Sequence, residues 1–197
     1  TQKMGIIKSM FKEKSPERVI IFAGSKIKVK DLAIALRREG FNVGAMHSDL
    51  SQAERDDVMY RFKAQKVNVL VATDIVARGI DIDDIQLVIN YDVPHDEEDY
   101  VHRIGRTARA GAEGAAVTLV NEKDQHLFRD IERFLNKSIE KNSIPAELGE
   151  GPEYRERKGK GGTRKFHSQR GGHHHKGKGG KPKGKSNQGR KKHGQSS

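Results

Sequence analysis

The sequence predicts an α/β domain, a parallel sheet with helices on both faces, followed by a disordered basic tail. Short runs of valine and isoleucine alternate with amphipathic helical stretches between Val19 and Val120. Strands buried on both faces read this way, as near-continuous apolar runs. Charge divides unevenly: the formal net charge is +11, yet residues 152–197 hold 15 Lys and Arg against 2 acidic residues. That segment is rich in Gly, Lys and His, with Tyr154 and Phe166 as its only aromatic residues. It cannot bury enough apolar surface to offset the entropy of ordering. The expected division is 1–151 for the domain and 152–197 for the tail.

Taken in order, Gln2–Lys14 carries Met4, Ile7, Met10 and Phe11 at helical spacing, and Pro16 stops that helix. Residues 18–22 form a strand, and residues 29–39 a helix with Leu32, Ala33 and Leu36 inward, ended by Gly40. A second strand spans 41–46. Ser51 and Glu54 make a capping box for a helix over 52–64, whose apolar side is Val58, Met59 and Phe62. Further strands are expected at 67–72, 86–91 and 115–120. A helix over 96–105 lies between the last two, and Asn121 caps another that runs to about Leu135. Ligands of parallel sheets gather at the carboxyl ends of the strands. Gly24 and Ser25, His47 to Asp49, and Thr73 with Asp74 all fall there.

Cysteine is absent, so disulfides, thiolate metal sites and cysteine nucleophiles are excluded. No apolar run approaches the roughly 18 residues of a membrane span, and the amino-terminal apolar part is too short for a secretory signal. The expectation is a soluble cytoplasmic protein with no membrane partner. Basic residues spaced by glycine in the tail can follow a phosphate backbone, so RNA is the expected partner there; the alternative is a tail that only solubilises. His173, His174 and His175 either bind a metal or belong to a low-complexity tract; no carboxylate or cysteine cluster accompanies them, and no metal site is assigned.

The segment DYVHRIGRTARAG, residues 99–111, places Arg103, Arg106 and Arg109 at three-residue steps behind His102. If helical, it crowds three guanidinium groups and an imidazole onto one side, a good clamp for phosphate oxygens; the bland alternative is a solvated basic face. Elsewhere Thr73 and Asp74 offer a hydroxyl and a carboxylate at a strand end. Gly79 lets backbone approach a phosphate, and Asp81 and Asp83 can accept from sugar hydroxyls. Singly, Asp74 also reads as a helix cap, Gln52 and Arg55 as a solvated helix face, and Asp81 as a turn residue.

HRIGRTARAG closely resembles motif VI of the DEAD-box RNA helicases, H-R-I-G-R-T-G-R, with Ala108 where glycine is commoner. VIIFAGSK resembles motif IV of that family. MHSDLSQAERDDVMYRFK resembles its H-G-D…Q-x-x-R…F segment, with Ser48 where glycine is usual, and VLVATDIVARGIDID is similar to motif V. The resemblance covers all of the chain but the tail. It implies a RecA-like domain, the second of a two-domain helicase. RNA contacts fall to Gly24, Gln52, Arg55, Thr73, Asp74 and Gly79. Nucleotide contacts fall to Gly79, Asp81, Arg106 and Arg109, and the catalytic set is Arg106 and Arg109, as arginine fingers, with His102 and Arg103. The cofactor implied is ATP with Mg²⁺, held mainly by an amino-terminal RecA-like domain. No G-x-x-x-x-G-K-[ST] loop and no D-E-A-D sequence occurs in this chain, so it is expected to be cut from a longer protein just before Thr1 and to be inactive alone. Backbone and 2′-hydroxyl contacts carry little base information, and no DNA specificity is expected. The alternative is a stand-alone RNA-binding or annealing module.

Overall fold

The structure, a computed structural model, describes residues 2–14, 16–74, 85–107 and 114–155. Five strands, β1 (Val19–Phe22), β2 (Val43–Met46), β3 (Val69–Ala72), β4 (Leu87–Asn90) and β5 (Ala115–Thr118), form one parallel sheet in the order β2-β3-β1-β4-β5. The helices are α1 (Gln2–Lys14), α2 (Lys26–Arg38), α3 (Gln52–Lys63), α4 (Glu97–Ile104) and α5 (Gln125–Phe134), with a 3₁₀ turn at Ala146–Leu148.

Side chains alternate across the sheet, so β1 to β4 each feed two cores. Val19 and Ile21 of β1 face α1 and α2, packing with Ile7, Phe11, Val29, Leu32, Ala33 and Leu36. Ile20 and Phe22 face the other way, with Phe62 of α3 and Val58 and Met59 beside it. A third cluster, Val93, Tyr100, Phe128 and Ile131, joins α4 to α5. The expected parallel sheet with helices on both faces is present.

Local chemistry sets the helix ends. The Ser51–Glu54 capping box forms as expected. Gly40 follows α2 at φ +90°, a conformation that favours glycine. Most element bounds differ from the sequence reading by one to three residues, and two of the differences have a visible local cause. Helix α2 starts at Lys26, because the Ser25 side chain accepts from the Lys28 N–H and caps it there. Asn121 does not cap α5; its Oδ1 accepts from the Asp124 N–H in a turn ahead of the helix, and Asp124 is the capping position.

The segment after α5 folds back over it. The Gln125 side chain, 5% exposed, donates to Glu153 O (2.7 Å) and accepts from the Arg155 N–H (3.1 Å). The Tyr154 ring meets Phe128 edge-on, and its hydroxyl donates to Glu132 Oε2 at 2.6 Å. Packed chain therefore continues past the boundary expected at 151/152. Among the described residues no helix is long and apolar enough to cross a membrane.

Candidate functional site

Register aligns the carboxyl ends of the strands: Met46, Ala72, Phe22, Asn90 and Thr118 form one row across the sheet. One and two positions beyond that row lie His47 and Ser48, Thr73 and Asp74, Ala23 and Gly24, Tyr91 and Asp92. The polar residues singled out in the sequence are thereby gathered along one edge. Helix α2 leaves β1 toward β2 while the chain leaving β4 runs to β5, so β1 and β4 flank the topological switch point, where crevices form in open α/β sheets.

Arg103 lies at the centre of this edge and is only 3% exposed. Its Nε and Nη2 donate to Asp74 Oδ1 and Oδ2, both at 2.6 Å. Its Nη1 donates to Asn90 Oδ1 and to the main-chain oxygen of Asp92, both at 3.0 Å. The guanidinium stacks over the Phe22 ring, 5.0 Å from its centroid. A planar fork suits this double contact with a carboxylate. Asn90, fully buried in β4, is itself fixed by donating to Thr118 Oγ1 at 3.1 Å.

This placement corrects the expectation of three arginines on one side. Arg103 falls three residues after Tyr100, on the buried face of α4, whereas the helix ends at Ile104. Arg106, half-buried, lies past that end with its Nε donating to His102 O at 3.3 Å. His102 is exposed. Arg103 thus ties α4 to the end of β3 and does not share an open surface with Arg106. Asp74 correspondingly spends its carboxylate on Arg103. Arg109, Gly79 and Asp81 lie outside the described residues.

Gly24 is exposed, and its N–H donates to Asp92 Oδ2 at 2.8 Å. Lys28 Nζ donates to Asp92 Oδ1 at 2.9 Å, and Lys3 Nζ lies 3.7 Å from the same oxygen. Burial would raise the Asp92 carboxyl, but the Gly24 amide and Lys28 outweigh it and hold it below the usual carboxylate range. Burial pushes the Lys3 ammonium down, against the pull of Asp92. Asp49 bridges Lys26 at 2.8 Å and Lys30 at 2.7 Å, and those bonds bring its carboxyl down to about 2.

Gln52, exposed at the start of α3, donates to Asp56 Oδ1 at 2.8 Å. Arg55, one turn on, is half-buried, and its Nε and the Nδ1 of His47 are buried without a hydrogen-bond partner among the described residues. Burial, with Lys30 nearby, pushes the His47 imidazole down. Thr73 is half-buried next to His47 in the row. Gln52, Arg55, Thr73 and Gly24 therefore follow the β2-β3-β1 side of the edge. Asn90 and Asp92 were missed in the sequence. The available signal was an acid two residues past an apolar strand, the position Asp74 holds after β3. Among the described residues no cluster of His, Cys, Asp or Glu can hold a metal ion.

The family model for the helicase conserved C-terminal domain matches residues 2–111. The chain is 44% identical over 135 residues to ATP-dependent RNA helicase eIF4A of Scheffersomyces stipitis, a match covering 68% of this chain and 34% of that protein. It is 41% identical over 144 residues to ATP-dependent RNA helicase CshA of Listeria monocytogenes, covering 73% and 28%. The chain spans about a third of the length of these curated relatives. Among solved structures, the E. coli DEAD-box protein SrmB, bound to regulator of ribonuclease activity A, matches with a TM-score of 0.71 and 37% identity over 78% of this chain and 89% of that one. S. cerevisiae Dbp5 bound to RNA and ADP BeF3 matches with a TM-score of 0.63 and 31% identity, over 70% and 37%. The expected RecA-like architecture is thus the one present, and the chain belongs to the helicase conserved C-terminal domain family, as the C-terminal domain of a DEAD-box helicase.

Proposed function

We propose that the chain is the second half of an ATP-dependent RNA helicase, contacting single-stranded RNA along the β2-β3-β1 edge and supplying arginine to ATP bound against an amino-terminal partner domain. The observation that carries this reading is the Asp74–Arg103 pair. It fastens the end of β3, on the RNA side, to the helix that leads into Arg106, on the nucleotide side.

RNA meets backbone and hydroxyl groups at Gly24 and Thr73 and the side chains of Gln52 and Arg55, with Gly79 completing the set. These groups touch phosphate and sugar, which favours RNA over DNA through the 2′-OH and leaves base identity unread. Asp74 acts here through Arg103 and does not itself face a ligand. Arg103 likewise positions α4 and does not touch nucleotide. ATP with Mg²⁺ supplies the phosphoryl group whose hydrolysis resets the cycle; both are assigned mainly to the partner domain. Arg106 and Arg109 present guanidinium groups to the γ-phosphate oxygens only when the two domains close, with His102 beside them and Asp81 toward the ribose. Stabilisation available only in the closed state couples RNA binding to hydrolysis through domain geometry.

The test is Arg106→Ala in the two-domain parent. Hydrolysis should fall by on the order of 10³ to 10⁵, while RNA binding through the tail persists; an unchanged rate refutes the assignment. The present chain, given ATP and single-stranded RNA, is expected to show no turnover. Removing residues 158–197 should weaken RNA binding and flatten its salt dependence. The truncation starts there because an earlier one would also remove Tyr154.

A further inference from the structure

Of the four tyrosines in the chain, Tyr60 alone is exposed. It lies near the carboxyl end of α3 and keeps 63% of its surface in solvent, while its neighbours Val58, Met59 and Phe62 pack inward. The chain beyond the helix turns back to meet it. The Ala64 N–H donates to Tyr60 O at 2.8 Å, and Gln65 follows at φ +56°, the left-handed conformation that reverses the chain. The Lys66 N–H then donates to Arg61 O at 2.9 Å, and its ammonium rests 5.6 Å from the centroid of the Tyr60 ring. A cation at that distance is attracted to the ring face. Val67, one residue on, is 3% exposed, so buried chain anchors Lys66 beside the ring.

Cations outnumber their partners here. Arg61, Lys63 and Lys66 are exposed; Arg61 lies 3.8 Å from Asp57, and among the described residues no acidic side chain pairs with Lys63 or Lys66. Across the sheet on α2, by contrast, Lys26, Lys28 and Lys30 are each tied to Asp49 or Asp92. Lysines at a helix end can serve only to offset its dipole. At this end Arg18 meets the carbonyls, its Nη2 donating to Lys63 O at 3.2 Å, and Lys66 turns to the ring instead.

An open ring with unpaired cations on its rim suits a single strand of nucleic acid: a base stacks on the ring while the phosphates beside it meet the ammonium groups. The patch is separate from the sheet edge. Gln52 starts α3 at that edge, and Tyr60 lies about 12 Å further along the helix axis at 1.5 Å a residue, with the exposed Asp56 and Asp57 between them.

We propose that Tyr60, Lys63 and Lys66 form a second RNA-binding site, a stacking platform that holds single-stranded RNA flanking the segment at the sheet edge. Asp56 and Asp57 repel phosphate from the middle of α3, so the strand is held at the two ends of the helix and not along it. This rests on the reading of RNA as the ligand of the domain.

The test uses the full chain and a single-stranded RNA of about 15 nucleotides, within the range of single-strand site sizes, with NMR at the amides of Gln52, Gln65 and Lys66. In the unaltered protein all three respond to RNA. Tyr60→Ala weakens binding about fivefold, the lower end for a base stacked on a ring, and abolishes the response of Gln65 while that of Gln52 persists. Tyr60→Phe, which keeps the ring, stays within about twofold of the unaltered protein. Replacing Lys63 and Lys66 together by Gln lowers the slope of log K against log salt by about 1.4, the release of two counterions from a single strand. Equal effects of Ala and Phe, an unchanged salt slope, or still amides at Gln65 and Lys66 while Gln52 moves overturns the second site and leaves the edge contacts standing. A still Gln52 with Gln65 moving supports the second site and removes the edge contacts. If none of the three responds, RNA is not the ligand of this domain and both readings fail.

Discussion

Arg103→Ala should be the most damaging single change on the sheet edge. The guanidinium makes four hydrogen bonds between 2.6 and 3.0 Å, two of them to a carboxylate, at 3% exposure. Removing it leaves the Asp74 carboxylate, the buried Asn90 amide oxygen and the Asp92 carbonyl without their donor. Breaking a buried ion pair by deleting one partner costs about 3–5 kcal/mol. Asp74 keeps 26% of its side chain in solvent, which points to the lower end, about 3 kcal/mol. For a domain near 150 residues each kcal/mol lowers Tm by roughly 2–4 °C, so a fall of about 10 °C is expected. The assay is urea unfolding of the full chain followed by circular dichroism, with thermal scans beside it. Arg103→Lys keeps the charge but loses the fork, and should recover about half of the loss. In the Arg103→Ala background, Asp74→Ala should cost much less than it does alone, because the two residues act as one unit. A loss below about 1 kcal/mol for Arg103→Ala would refute the buried fork and return Arg103 to the open basic surface that its spacing suggests.

Three further outcomes follow from the same geometry. Asp49 has its carboxyl lowered from 3.8 to about 2 by Lys26 and Lys30; since the folded value is depressed, its stabilisation is full above the unfolded value and is lost as pH falls toward about 2. The stability difference between the unaltered protein and Asp49→Asn, measured by urea unfolding at successive pH values, should be present at pH 6 and vanish near pH 2. Tyr154→Ala removes the edge contact with Phe128 and the bond to Glu132, and should cost about 1–2 kcal/mol; amide exchange at Arg155 should accelerate, because its N–H loses the geometry that presents it to Gln125. Gly40→Ala meets nothing within 4 Å, but the residue sits at φ +90°; unfolding should register a backbone cost of about 1–2 kcal/mol and no change in RNA binding.

Secondary structure was largely legible because it is local. The Val and Ile runs, the capping box at Ser51 and the inward spacing of Leu32, Ala33 and Leu36 each lie within a few residues of their own consequences. Helix α2 was read three residues short because Ile27, 65% exposed, breaks the inward pattern, while the deciding bond from Lys28 to Ser25 is a side-chain detail. The site was legible as a collection of residues and illegible as a geometry. Arg103 and Arg106 look equivalent along the chain; what separates them is Asp74, which reaches Arg103 from just past β3. Asp92 carried no motif of its own, and its role depends on β1 and β4 being neighbours, which strand order alone decides. Tyr154 was assigned to the tail by average composition, although a single aromatic beside a low-complexity tract is itself a hint of anchoring.

The strand order also governs how the domain can assemble. β1 pairs with β3 on one side and β4 on the other, and never with β2, the strand that follows it. As the chain leaves the ribosome, β1 and β2 emerge with no partner for each other, separated by the width of a strand not yet made. Nothing of the sheet can close until residues 69–72 arrive to sit between them, and the second side of β1 waits for residues 87–90. Pairings this distant in sequence are slow to form and leave apolar edges uncovered meanwhile. A chain that has emerged only as far as Val69 would thus be a strong substrate for chaperones, whereas one that has emerged past Asn90 can already pair four strands.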